Sequence, residues 1–225
     1  MRALALLLTV LFVLPAAAQE PPHRLTVTGE GQVAQPPDMA VLTLGVTTEA
    51  KEPARAMDAA SAATAGILDT LAAAGLADTD VQTGELTLSP IRSSASTTEG
   101  ERITGFRATN IVTAKLRDLD RLGAVLGAVL DAGANTFRGL RFDLQDPAPA
   151  RDEARRRAVA DAMHKAELFA DAAGLTLGPV LEFNESPGSG RPEMMRAAAA
   201  APVPVAEGEV TISAEVTMVF QITGP

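Results

Sequence analysis

Apolar and polar positions alternate along most of the chain, and the rhythm changes several times. Over residues 38–49, Ala40, Leu42, Leu44 and Val46 fall on one side and Val41, Thr43, Gly45 and Thr47 on the other. That period of two predicts a strand with one strongly apolar face. Residues 24–33 alternate likewise, Leu25 and Val27 against Thr26 and Thr28, then reach Gly29 and Gly31, which predict a bulge or bend. Pro36-Pro37 separates the two stretches. Residues 54–74 switch to helical spacing through Met57, Ala60, Thr64, Ile67, Leu68 and Leu71, with Gly75 as the stop. Residues 81–90 read as a strand with Leu86 and Leu88 inward. The polar stretch 93–100 reads as a hairpin tip, and 103–116 as the returning strand, with Phe106, Ala108, Val112 and Ala114 on one face.

Asp118-Leu119-Asp120 predicts the start of a second helix, an Asp serving as N-cap. Its buried stripe is Leu119, Leu122, Leu126, Val129 and Leu130, ended by Gly133. Residues 138–144 form a short strand with Leu140, Phe142 and Leu144 inward. A third helix runs from Asp146-Pro147 to about Ala173 and stops at Gly174. Ala154, Ala158, Ala162, Ala166, Phe169 and Ala173 make its inner stripe. Asp152–Arg156, Glu153–Arg157 and Asp161–Lys165 lie on its outer face at ion-pair spacing. Residues 180–186 are a further strand. The stretch 188–204, entered through Ser-Pro-Gly-Ser-Gly-Arg-Pro (186–192) and holding a run of Ala from Ala197 to Ala201, reads as a mobile loop or arm. Residues 210–222 alternate most cleanly of all.

The predicted order is ββαββαβαββ. It implies one α+β domain, a mainly antiparallel sheet with helices on one face. Residues 38–91 and 103–145 form two split βαβ-like units, and a third helix and C-terminal strands complete the sheet. The strand at 210–222 is long, contains no Pro and carries one outer charge, Glu215. It is expected to be an exposed edge through which a homo-oligomer assembles, with the arm at 188–204 lying over the neighbour.

The first residues form a different pattern. Arg2 precedes an apolar run from Ala3 to Leu14, Pro15 breaks it, and Ala16-Ala17-Ala18 offers small residues for cleavage. Residues 1–18 are therefore expected to be a secretory signal peptide cut near Ala18, leaving 19–225 as the mature domain. The run is shorter than the roughly 20 residues a membrane-spanning helix needs. No later segment approaches that length, so the mature chain is expected to have no membrane-spanning segment.

Composition narrows the chemistry. The 225 residues include no Cys, Trp or Tyr, two His, and 43 Ala. A thiol nucleophile, a disulfide and a Cys-ligated metal are excluded. A net charge of -9 and seven aromatic residues, all Phe, argue against nucleic-acid binding, which needs a basic surface and stacking platforms. Ser189 sits in Gly-Ser-Gly, but without the flanking pattern of a nucleophile elbow. His164 reads as an exposed helical residue, and His23 as part of an extended N-terminus. Gly29-Glu30-Gly31 lacks the third Gly and the following helix of a dinucleotide fingerprint. Gly84 and Gly105 read as strand bulges. Asp118 and Asp120 are explained by capping, and Arg155-Arg156-Arg157 by neighbouring acids. Met194-Met195 could ligate a soft metal or absorb oxidant, but adjacent loop Met are more often incidental. No catalytic, cofactor-binding or metal residue is assigned, and no cofactor.

Six stretches carry a resemblance: VTGEGQVAQPPDMAVLTLGV (27–46), VQTGELTLSP (81–90), ITGFRATNIVTAKLRDLDRLG (103–123), DAGANTFRGLRFDLQDP (131–147), AVADAMHKAELFADAAGLTLGPV (158–180) and PVPVAEGEVTISAEVTMVFQI (202–222). Together they resemble the SIMPL-domain, or YggE-like, family of exported bacterial proteins, which includes periplasmic immunogenic proteins. The resemblance implies an α+β fold, a periplasmic location, oligomerisation and a link to oxidative-stress tolerance. It implies no catalytic residues. A non-enzymatic envelope module with homo-oligomeric or envelope-protein partners is the expected function. The alternatives are an envelope hydrolase with an unrecognised site and an oligomer enclosing a channel.

Overall fold

β1 (Arg24–Gln35) and β2 (Met39–Ala50) are neighbours in the chain but belong to different sheets. The computed structural model describes residues 23–93, 102–186, 193–195 and 206–224. The expected signal peptide at 1–18 and most of the hairpin tip at 93–100 lie outside them. No described helix is long and apolar enough to cross a membrane.

β2 is central in a sheet with β3 (Val81–Arg92), β4 (Ile103–Leu116) and β5 (Thr136–Asp143), in the order β3-β4-β2-β5. All its pairings are antiparallel. α1 (Pro53–Ala73) joins β2 to β3, and α2 (Leu122–Asp131) joins β4 to β5. The two strands of each strand–helix–strand unit are separated by a strand of the other unit. These are two interleaved split βαβ units, as the pattern predicts. Ala40, Leu42, Leu44 and Val46 meet Val112, Ala114 and Leu116 beneath Ile67, Leu71, Leu122, Val125 and Val129.

The second sheet draws on both ends of the described chain. β8 (Glu209–Thr223) lies at its centre. β1 pairs along one side, from Arg24↔Gln221 to Gln35↔Val210. β6 (Thr176–Ser186) and β7 (Glu193–Met195) share the other side. α3 (Ala148–Ala173) covers one face. Val27, Ile212, Val216, Met218 and Phe220 pack there against Ala154, Ala158, Ala162 and Ala166.

The antiparallel α+β class follows the sequence pattern, but the strands divide into two sheets, one covered by α1 and α2 and the other by α3. Periodicity identifies a strand and its apolar face; it does not name the strand's partner. For the same reason 210–222 is not an edge: β8 has neighbours on both sides. Part of the arm at 188–204 also has regular structure, since residues 193–195 form β7, while 188–192 and 196–204 lie outside the described residues.

Several side chains depart from expectation. Leu86 and Leu88 are exposed. They share the helix-side face, opposite Asn110 and Ala108, but α1 lies chiefly over β2 and β4. Asp118 makes no capping bond; a short 3-10 turn, Leu119–Arg121, leads into α2 instead. Leu130 and Phe169 point outward, and Ala170 takes the inner position given to Phe169. Gly174 does end α3, with φ 66°; its N–H donates to the Asp171 carbonyl and the Leu175 N–H to that of Ala170.

Candidate functional site

Gly29 and Gly31 do not form a bulge, for the β1–β8 register runs through them without a break. They are where α3 touches β1 backbone to backbone. A Cβ on Gly29 would stand 2.1 Å from the Ala158 carbonyl oxygen, and one on Gly31 2.0 Å from that of Ala154. Only Gly on the strand and Ala on the helix permit this approach.

The close contact lets three α3 side chains reach the outer edge of β1. Odd-numbered β1 residues turn their backbone groups to β8, as the Ile222 N–H donating to the His23 carbonyl shows at the strand's start. Even-numbered residues turn theirs outward. Lys165 Nζ donates to the Thr28 carbonyl at 3.0 Å, Asp161 Oδ2 accepts the Glu30 N–H at 2.9 Å, and Arg157 Nη1 donates to the Gln32 carbonyl at 2.7 Å. Spacing of i,i+4 places the three on one flank of the helix. Lys165 and the Glu30 N–H hold the Asp161 carboxyl below the usual carboxylate range, and Asp161 raises Lys165 in turn.

A second polar cluster ties the connections between the sheets. Arg117, just past β4, grips Asp80 with two bonds, Nε to Oδ2 at 2.9 Å and Nη2 to Oδ1 at 2.7 Å. Its Nη1 donates to Gln145 Oε1 at 3.0 Å. Gln145 in turn donates its backbone N–H to Asp38 Oδ1 and its Nε2 to the Asp38 carbonyl. Asp38 lies between β1 and β2, and Gln145 between β5 and α3, so both crossings between the sheets are joined. Asp80 is buried, yet the Arg117 guanidinium keeps its carboxyl below the usual range despite the opposing effect of burial. A cleft of about 100 Å³ beside the pair is lined by Lys115, Asp118 and Arg121 among others.

On the open face of the four-stranded sheet around β2, Arg138 bonds Glu85 at 2.6 and 3.3 Å, joining β5 to β3 over the two central strands. Gly45 carries no side chain beneath that span. Asn135, in the Gly-Ala-Asn stretch, accepts the Thr47 N–H at 2.7 Å and donates to its carbonyl at 2.9 Å. Thr47 Oγ1 also meets the hydroxyls of Thr109 and Thr136.

Each of these groups bridges elements of the fold. A general base needs a pKa near working pH, whereas Asp80, Asp161 and Glu153 are all held low by cationic partners. The His residues noted in the sequence are both exposed: His23 leads into β1 and His164 lies on α3. Ser189 is outside the described residues. Met194 and Met195 lie in β7, and nothing further is assigned to their side chains. Gly84 sits at a register shift, as expected of a bulge, and Gly105 is one residue from another. The arginine run is paired with acids: Arg155 with Asp152 and Glu185, and Arg156 and Arg157 with Glu153. The Glu153–Arg157 and Asp161–Lys165 pairs are as spaced in the sequence; Asp152–Arg156 is replaced by i,i+3 pairs. Among the described residues no three His, Asp or Glu side chains converge as metal ligands. Sequence reasoning missed Asp80–Arg117, whose members lie 37 residues apart and follow no periodicity.

Comparison with known proteins spans this whole arrangement. Residues 25–220 match the SIMPL family model, described as a protein of unknown function (DUF541). The chain is 36% identical over 228 residues to the 26 kDa periplasmic immunogenic protein of Brucella melitensis, covering 94% of this chain and 91% of that protein. It is 33% identical over 178 residues to the uncharacterized protein YggE of Edwardsiella ictaluri, covering 79% and 74%. It is 30% identical over 209 residues to that of Escherichia coli K12, covering 89% and 83%.

Proposed function

We propose that this chain, which belongs to the SIMPL family, is a non-enzymatic periplasmic module that assembles with copies of itself and supports tolerance of oxidative or envelope stress. The observation that carries the reading is the near full-length similarity to a protein named as periplasmic and immunogenic. The apolar run ahead of Ala16-Ala17-Ala18 agrees with export. The polar clusters agree with a module rather than an enzyme: their carboxylates are tied to cations and bridge elements of the fold. Without Cys, protection cannot operate through a thiol.

The test is made in the native cell. Fractionation should place the processed chain in the periplasm, its N-terminus near Gln19. Deletion should lower survival under peroxide, and re-expression of the exported chain should restore it. A chain that stays in the cytoplasm overturns the location, and unchanged survival overturns the stress role.

A further inference from the structure

The four outer edges of the two sheets are not equally guarded. Along β1 one outward backbone group on each of Thr28, Glu30 and Gln32 is taken by Lys165, Asp161 and Arg157. β3 carries Pro90 and two register shifts. β5 carries a register shift and the charged Arg138 and Arg141. Charges, bulges and proline are the usual means of preventing edge-to-edge pairing. On β6, Pro179 and two shifts disturb the first half, but Glu182–Ser186 then pairs with β8 residue for residue. Among the described residues nothing bonds the outer edge of that half. Val180, Leu181 and Phe183 are 45%, 42% and 54% exposed there, more than an isolated edge tolerates without reason.

We propose that the outer edge of β6, centred on Phe183, pairs antiparallel with β6 of a second copy of this chain, joining two sheets across a two-fold axis. This rests on the assembling-module reading above and names its interface. Cross-strand pairs point to a second copy as the occupant and select the register. With Phe183 opposite Phe183 of the second copy, each Glu182 faces an Asn184 and each Glu185 faces a Leu181. Centring on Glu182 would set two carboxylates opposite each other, an arrangement that destabilises a sheet. Centring on Asn184 also keeps the carboxylates apart but sets Phe183 opposite Glu185, so it is the Phe183 pair that selects the register. Glu185 is already held by Arg155 of its own α3 at 2.7 Å, so its charge is neutralised beside the joint. Phe183 lies opposite Met218 and so on the α3 side of the sheet. The two-fold axis brings both phenyl rings together on that side, an aromatic cross-strand pair that covers what each copy leaves open.

The experiment uses the exported chain purified from the periplasm, its mass read by light scattering. Because the chain has no Cys, Phe183→Cys introduces a single thiol. Wild type should have at least a dimer's mass. Phe183→Glu should lower that mass by half or more while keeping the circular-dichroism melting midpoint of the fold. Leu86→Glu, on the β3 edge, should leave the mass unchanged. Mild oxidation of Phe183→Cys should give a covalent dimer that dithiothreitol dissolves. A monomeric wild type overturns both this interface and the assembly reading. An oligomer whose mass Phe183→Glu leaves unchanged, or whose Phe183→Cys variant does not cross-link, overturns the β6 interface alone. Should Phe183→Glu lose its fold, the cross-link decides.

Discussion

At the scale of single residues, the least satisfied group among the described residues is Asn110. It is 8% exposed, its buried Oδ1 has no hydrogen-bond partner among those residues, and it lies on the helix side of its sheet between Val46 and Leu86. A buried acceptor left unpaired costs about 1–3 kcal/mol, and an apolar replacement of similar size removes that cost. Asn110→Val is therefore expected to raise the urea midpoint, by a stability gain of about 1 kcal/mol; a lowered midpoint would mean that Oδ1 has a partner. Asp80 is the opposite case, a buried charge whose two oxygens are both matched. Asp80→Asn should cost about 1.5–3 kcal/mol at neutral pH. Its folded pKa lies below the ordinary 3.8, so its stabilisation is complete above about pH 5 and is lost as pH falls through the folded value. The gap between wild type and Asp80→Asn should accordingly shrink on acidification below pH 4, measured as melting midpoint against pH; a gap that widens would reverse the assignment. Neither residue could be found by pattern. Asn110 stands where alternation predicts an apolar residue, and Asp80 meets Arg117 only through the antiparallel pairing of β3 with β4.

At the scale of elements, the sequence shows the inner stripe of α3 but not what receives it. Alanines at every fourth position from Ala154 to Ala166 advance about 6.0 Å per step along a helix. Alternate residues on a strand advance about 6.6–6.8 Å. The two repeats nearly match, so Gly31 and Gly29 fall in successive gaps between Ala154, Ala158 and Ala162. Reading Gly29 and Gly31 as a bulge used their conformational freedom; their actual use is the absence of a side chain. Gly29→Ala should force α3 off the strand, because the atom in the way is backbone. Overpacking of this kind costs about 1–3 kcal/mol or more. Ala162→Leu should cost a similar amount, since Ala162 is wholly buried at the same joint. Both are checked by thermal denaturation followed at 222 nm, and an unchanged midpoint for either would place it away from the contact. Leu86 and Leu88 teach the complementary point. Their alternation correctly gives the face, but burial depends on how far α1 extends over the sheet.

At the scale of the whole molecule, the two sheets keep separate interiors. The core under α1 and α2 and the core under α3 share no residue. The chain enters the β1–β8 sheet through β1, leaves it at Pro36-Pro37, completes the sheet of β2 to β5, and returns through Leu144–Pro147 to α3. Those two crossings join the parts, and Asp38, Gln145, Arg117 and Asp80 fasten them together. This organisation was hidden in a sequence whose strands and helices could be identified one by one, because β1 and β8 are separated by almost the whole described chain. It carries a consequence for unfolding. Leu42→Ala removes a wholly buried side chain from the β2–β5 sheet and should cost about 2–5 kcal/mol. If the two interiors open separately, native-state hydrogen exchange should show that loss at the amides of β2, β4 and α1. Amides of β8 and α3 should keep most of their protection. Val216→Ala, in the other core, should produce the converse map. Equal loss of protection on both sides in either variant would show instead that the Asp38–Gln145–Arg117–Asp80 fastening couples the two sheets into one cooperative unit.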